Sequence, residues 1–171
     1  QGNALIWAFY QAYGQQDFRD YKVLAMFGDG GMDVHSRTRA VRTLADFNGL
    51  KLRASSRTAA RTLEALGATP VSMPPAQMTE AISKGVVDGA LGAWEIVPAT
   101  KLDEVTHYHS AIAEGQPAIG YTVLSMLMNK RKYESLPADL KEILDRHSGD
   151  ALVSAFGVAW DAATRQAKAR V

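Results

Sequence analysis

Apolar positions along this chain fall into two kinds of block. Some recur every three or four residues, as one face of a helix requires. Others run together for five or six residues, as a buried strand requires. Residues 3–16 carry Leu5, Trp7, Ala8, Phe9, Ala12 and Tyr13 at helical spacing, which predicts a helix. Residues 22–27 read as a buried strand, followed by Gly28-Asp29-Gly30-Gly31, a loop with free backbone choice. Residues 33–42 are polar and basic and read as loop or edge strand. Thr43 is placed to cap a single turn ending near Asn48-Gly49.

A regular alternation follows. Residues 50–54 read as a strand. Residues 57–66 read as a helix with Ala59, Ala60, Leu63 and Leu66 inward, closed by Gly67. Residues 70–73 are a short strand, and 76–84 a helix with Met78, Ala81 and Ile82 inward, closed by Gly85. Residues 86–91 read as a buried strand. This rhythm predicts an α/β fold with a parallel or mixed sheet and right-handed crossovers. Beyond it, residues 94–101 suggest a short helix broken near Pro98, and 105–112 and 121–128 read as strands. Pro137 starts what reads as the longest helix, its stripe running through Leu140, Ile143, Leu144, Ala151, Leu152, Ala155, Ala159 and Ala162. Gly149 and Gly157 weaken that helix locally. No repeat, low-complexity tract or flexible linker interrupts the pattern, so any division into lobes must come from the sheet changing partners.

The bulk numbers narrow the classes. The 171 residues suffice for one domain or two small lobes, and 47% hydrophobic with 22% charged residues is ordinary for a globular protein. A net charge of +1 argues against a nucleic-acid partner held by a broad basic field. No apolar run approaches the ~20 residues of a membrane span, so the chain is not expected to be membrane-spanning itself. With no cysteine, disulfides, thiolate metal sites and a cysteine nucleophile are excluded. An oxidising compartment is compatible with that count. The chain starts at Gln1 without a basic n-region or initiating methionine and stops inside a helical pattern, as a piece of a longer chain would.

Candidate chemistry concentrates at strand ends. Arg53 ends a strand just before Ala54-Ser55-Ser56-Arg57 opens a helix. Ligands of open α/β sheets sit beyond the carboxyl ends of strands, and a helix N-terminus adds free N–H groups. The guanidinium fork matches a carboxylate and stays charged at any working pH. Ser55 or Ser56 can cap the helix or touch the ligand. The competing reading of Arg53 is a surface arginine paired to an acid. Trp94 follows a strand and is either a pocket wall for a flat ligand or a core tryptophan. Tyr121 opens the last expected strand and can present its hydroxyl to the same cleft.

Other motifs carry less. Gly28-Asp29-Gly30-Gly31 fails as a phosphate loop, because Asp33 stands where a third small residue is required and no Gly-Lys-Ser/Thr triplet exists. His107 and His109 share a strand face, but a zinc site needs a third ligand, so strand-surface histidines are expected. Glu95 is a possible general base with no visible nucleophile, and no serine sits in a nucleophile elbow. Arg37, Arg39 and Arg42 read as a solvated edge. No catalytic constellation, metal site or cofactor site emerges.

In order along the chain, 44-LADFNGLKLR-53, 66-LGATPVSMP-74, 80-EAISKGVVDG-89 and 136-LPADL-140 resemble the solute-binding proteins of tripartite ATP-independent periplasmic (TRAP) transporters. The likeness covers nearly the whole chain. It implies a periplasmic-binding-protein-like fold of two α/β lobes, here partial. It also implies a cleft that closes on a small organic acid, a periplasmic location, and docking of the loaded receptor on a membrane permease. Lobe one would hold residues 1–30 and 119–150, lobe two residues 31–118, with 151–171 continuing a long lobe-linking helix. Arg53 falls on the family's carboxylate-clamping arginine, and Trp94 lies in a segment that lines the family's cleft. The family chain is considerably longer. The second arginine of the sialic-acid branch has its place near Asp33, and that branch's asparagine is replaced by Gly92. The resemblance therefore implies a simpler carboxylate, aromatic or branched. Together with the strand-end reading, it makes Arg53, Trp94, Ser56, Tyr121 and Gly92 the candidate ligand-binding residues. Its rivals are an α/β enzyme acting on a small carboxylate and the sensory domain of a signalling receptor.

Overall fold

The computed structural model describes residues 2–113 and 115–171; Gln1, at the start of the expected first lobe segment, and Glu114 lie outside the described residues. The elements run α1 (Gly2–Phe9), β1 (Tyr21–Gly28), β2 (Asp33–Ser36), β3 (Lys51–Ala54), α2 (Arg57–Ala65), β4 (Thr69–Ser72) and α3 (Pro75–Ser83). Then come β5 (Gly89–Gly92), α4 (Ile96–Thr100), β6 (Tyr108–Ser110), β7 (Val123–Asn129), α5 (Lys130–Glu134), α6 (Ala138–Arg146) and α7 (Asp150–Arg170). They divide into two compact units. The smaller holds the chain up to Asp29 and Thr122–Ala162, and the larger holds Gly30–Tyr121 and Ala163–Val171.

In the smaller unit α1 continues into a wider π turn, Tyr10–Gly14. β1 and β7 pair antiparallel, from Tyr21 opposite Asn129 to Gly28 opposite Val123. Their core joins Trp7, Val23, Ala25, Met26 and Phe27 to Val153 of α7, with Phe156 and Trp160 packed alongside. Phe27 stacks on Phe156 with ring centroids 4.0 Å apart, and Trp160 meets Phe27 edge-on. The single helix expected from Pro137 is two helices. Gly149 adopts φ +65°, and its N–H leaves the helix to bond the Leu24 carbonyl at 2.7 Å. A left-handed glycine that spends its N–H on β1 ends one helix and resets the face of the next. Leu140 and Ile143 are accordingly exposed on α6 rather than inward.

The larger unit is a five-stranded mixed sheet in the order β4-β3-β5-β2-β6. β3 runs parallel to β4 and β5, while β2 is antiparallel to β5 and β6. Helices α2 and α3 supply the crossovers, closed by Gly67 at φ +93° and Gly85 at φ +71°. Thr43 caps the short turn Leu44–Phe47 as expected, with Asp46 reaching back to the Thr43 N–H at 2.8 Å. One apolar cluster holds Val34, Leu52, Ala54, Leu63 and Leu91. A second holds Met78, Ile82, Ala90, Trp94, Val97, Leu102 and Ala167.

Four strand expectations change. Residues 33–36 are an internal strand, not a loop or an edge. β2 carries buried His35 and Ser36, whose polar side chains find partners inside the unit and so disguise its burial. β5 begins at Gly89, because residues 86–88 form a turn. There the Asp88 carboxylate accepts from Lys51 N–H at 2.9 Å and Val86 faces solvent. Of residues 105–112 only Tyr108–Ser110 pair, and Tyr121 precedes β7 instead of opening it.

The β2–β5 register depends on Gly89. A Cβ there would lie 2.2 Å from the His35 carbonyl oxygen and 2.8 Å from Ser36 Cα, both backbone atoms. Gly89→Ala is expected to destabilise the protein by at least the ~1–3 kcal/mol of an overpacked core site. Urea denaturation checks this, and an unchanged midpoint would contradict the register.

Candidate functional site

Arg53 lies one residue before the end of β3. Because β3 and β4 are parallel neighbours, the helices that follow them, α2 and α3, both begin at the same edge of the sheet. Arg53 is 3% exposed. Its Nε–H donates to the Met73 carbonyl at 3.1 Å, tying the side chain to the β4–α3 connection. Its two Nη groups have no hydrogen-bond or ion-pair partner among the described residues. Burial without a counter-ion holds its pKa below the ordinary arginine value, yet a guanidinium stays charged. Ser56 caps α2, its Oγ accepting from Ala59 N–H at 3.1 Å. Arg53, Ser55, Ser56 and Arg57 on one side, and Ser72, Met73, Pro74 and Pro75 on the other, line a cavity of about 450 Å³. No acidic residue lines it. The cap position of α3 is Pro74 and its first residue is Pro75, which has no N–H, while the Gln77 N–H bonds the Pro74 carbonyl at 3.1 Å, so that helix start offers few free donors. The arrangement is a cation held in place facing a space without anions.

Trp94 belongs to a second cluster on β5, β2 and β6. It is 8% exposed, and its Nε1–H donates to Asp33 Oδ2 at 2.7 Å. His35 meets it edge-on at 5.0 Å, His109 lies tilted at 5.2 Å, and Lys168 Nζ stands 5.5 Å from the ring centroid. The indole is thus enclosed by protein groups and belongs to the apolar cluster of this face. Gly92 is buried beside it; a Cβ there would meet Ile96 Cδ1 at 3.0 Å. Tyr121 is 63% exposed and packs near Gly31, outside both clusters. The structure therefore brings Arg53 and Ser56 together, and Gly92 and Trp94 together, while Tyr121 stands apart. Glu95 accepts from Thr164 Oγ1 at 3.3 Å.

The strand-surface expectation for His109 is corrected. His35 is fully buried, and its Nδ1 lies 2.8 Å from His109 Nδ1. Its Nε2 is 3.2 Å from the Gly92 carbonyl. A carbonyl only accepts, so His35 carries its proton on Nε2. Neutral His35 then accepts at Nδ1, and His109 donates from its own Nδ1. Burial, with His109 nearby, lowers the His35 pKa from 6.5 to about 4. His109 is lowered too, first by burial and then by His107, against Asp103, which raises it. The signal for this pair was the alternation Asp33-Val34-His35-Ser36, which puts His35 opposite Val34 on the strand.

A larger cavity, about 680 Å³, lies along Val34, Val41, Leu44, Phe47, Leu66 and Ile119. The charged side chain in its lining is exposed Arg42, so volume and chemistry point to different places. The buried unpaired guanidinium is the stronger sign of a ligand site.

Residues 8–169 match the family described as bacterial extracellular solute-binding protein, family 7. The chain belongs to this family. It is 31% identical over 134 residues to the C4-dicarboxylate-binding periplasmic protein DctP of Rhodobacter capsulatus, covering 78% of this chain and 39% of that one. Among solved structures, a marine-metagenome TRAP solute-binding protein specific for aromatic acid ligands, in complex with 3-hydroxybenzoate, superposes with TM-score 0.92 at 38% identity. That match covers 98% of this chain and 52% of the other. A TRAP solute-binding protein from Rhodoferax ferrireducens, in complex with copurified benzoate, gives TM-score 0.92 at 34% identity over 96% of this chain and 51% of that one. The chain thus spans about half the length of these structures and less of the curated relative. The family 7 proteins are solute receptors, and the fold is the two-lobe binding-protein α/β class in part, with the long C-terminal helix present as α7. No helix among the described residues is long and apolar enough to cross a membrane.

The histidine pair sets a pH dependence. His35 binds its proton at about pH 4 folded and near 6.5 unfolded, so the unfolded chain takes up more protons between those values. Stability contributed by neutral His35 is complete above pH 6.5 and is lost as pH falls to about 4. A difference of that size corresponds to about 3 kcal/mol at 1.36 kcal/mol per pKa unit. Urea unfolding between pH 7.5 and 4 should show a loss that is smaller by this amount in His35→Gln. An identical pH dependence in both proteins would contradict it.

Proposed function

We propose that this chain is the ligand-binding part of an extracytoplasmic receptor that captures a small organic acid, of aromatic type, and delivers it to a TRAP-type membrane permease. A periplasmic location goes with that role. The observation that carries the proposal is Arg53, a residue only 3% exposed whose guanidinium has one hydrogen bond to a carbonyl, no counter-ion among the described residues, and a cavity without acids beside it. Leaving a buried charge unpaired is costly, and a carboxylate ligand supplies the missing partner. The free N–H groups at the start of α2 and the hydroxyls of Ser55 and Ser56 add further donors for its oxygens. The benzoate and hydroxybenzoate complexes of the similar proteins support an aromatic acid. Asp33, His35 and His109 hold Gly92 and Trp94 in place on the same sheet, and Tyr121 stays exposed.

A micromolar receptor needs about −8 kcal/mol of net binding energy. Truncating one partner of a desolvated charge pair costs about 2–5 kcal/mol. Arg53→Ala should therefore weaken binding of benzoate or 3-hydroxybenzoate by roughly thirty-fold or more, at about 1.4 kcal/mol per factor of ten. Arg53→Lys should recover little, because an ammonium cannot form the two-pronged contact. Isothermal titration calorimetry with the three proteins checks this. Undiminished affinity in Arg53→Ala would remove the arginine, and the carboxylate with it, from the function.

A further inference from the structure

Arg57 is the first residue of α2, where the helix dipole already presents positive character. A cation is unfavourable there, and no acidic residue offsets it in the first turn. Arg57 makes no hydrogen bond or ion pair among the described residues, yet it lines the same cavity as Arg53. Across that cavity stand Met73, Pro74 and Pro75, an apolar run without a charge. The Met73 carbonyl is the one partner of Arg53 Nε, so this run is fixed relative to the anchoring guanidinium. Trp94, the obvious ring-stacking platform, is already enclosed by His35, His109 and Lys168. The aryl part of a carboxylate held on Arg53 must find its surface elsewhere.

We infer that Arg57 is a specificity-determining residue that holds the ligand's aromatic ring against Met73, Pro74 and Pro75 while Arg53 holds its carboxylate. This rests on the carboxylate reading above. A guanidinium is planar and weakly hydrated and stacks on aromatic faces. The attraction comes from the ring's negative face, so it grows with ring electron density. A methionine thioether adds favourable contact with an aromatic edge. The site therefore prefers electron-rich aryl acids over electron-poor ones of the same shape. Packing alone predicts the reverse for a pair such as 3-methylbenzoate and 3-(trifluoromethyl)benzoate, because the fluorinated group is larger and more apolar.

The test is calorimetric titration of these two acids at pH 7.5, where both are ionised, into the wild-type protein, Arg57→Gln, Arg57→Lys and Arg53→Ala. Wild type should bind the methyl compound about five-fold more tightly, the equivalent of about 1 kcal/mol for a cation over a ring. Arg57→Gln should bring the ratio to one or below, while Arg57→Lys keeps most of it. Arg57 is exposed and its loss relieves the helix N-terminus, so the glutamine variant folds. A wild-type ratio at or below one, or a ratio that survives Arg57→Gln, overturns the inference. Arg53→Ala separates the two claims: loss of both acids there, together with an unaltered ratio in Arg57→Gln, leaves the carboxylate site standing and removes only Arg57. Absence of binding of either acid to the wild type removes both.

Discussion

A guanidinium that is 3% exposed normally sits opposite a carboxylate. Arg53 instead gives one N–H to the Met73 carbonyl, and its terminal nitrogens meet no anion among the described residues. The larger unit is arranged around that unmet demand. Leu52 and Ala54, the neighbours of Arg53 on β3, point into the opposite apolar cluster and fix the strand. Val71 on β4 and Ala90 on β5 flank Arg53 in register. Both are apolar, and neither competes for its charge. The sheet thus supplies walls and withholds a counter-ion. A protein selected for stability alone would pair this arginine or replace it with an apolar residue of similar volume.

The same register row continues through the sheet. Arg53 is opposite Ala90, Ala90 opposite His35, and His35 opposite His109. Partners in register share a face, so one face carries a cation at one side and a neutral histidine pair at the other, with small Ala90 between. The pair is kept neutral by burial, and its tautomers are fixed by the Gly92 carbonyl. Two positive groups on one buried face would repel. A neutral histidine pair adds hydrogen bonds to that face without adding charge. The Asp33 carboxylate is likewise occupied by the Trp94 indole and, at 3.4 Å, the Ile112 N–H, rather than turned to Arg53.

How much of this was legible from the residues depends on whether a position's partner is local. Helices α2 and α3, their glycine ends and the Thr43 cap follow from spacing and turn chemistry within a few residues, and the parallel pairing of β3 with β4 and β5 follows from the crossovers. β2 was hidden because His35 and Ser36 are polar and their partners, Gly92, His109 and Asp88, lie more than fifty residues away. The break at Gly149 was hidden for the same reason: the carbonyl that captures its N–H belongs to Leu24. Arg53 was visible as a strand-end arginine before a helix. Its freedom from acids was not, since any of 18 acidic residues could have met it.

Trp94 shows the converse limit. An indole after a strand in a ligand-binding fold invites a stacking role, and the sequence contains nothing against it. In three dimensions one polar N–H must be satisfied when the ring is buried, and Asp33 satisfies it. That bond, with His35, His109 and Lys168 around the ring, holds the tryptophan in place. The cavity beside Arg53 is lined instead by residues that stand out little in the sequence: an arginine at a helix start where the dipole disfavours it, and a Met-Pro-Pro run that reads as a turn. Both positions are costly or indifferent for folding, and both line the cavity beside Arg53.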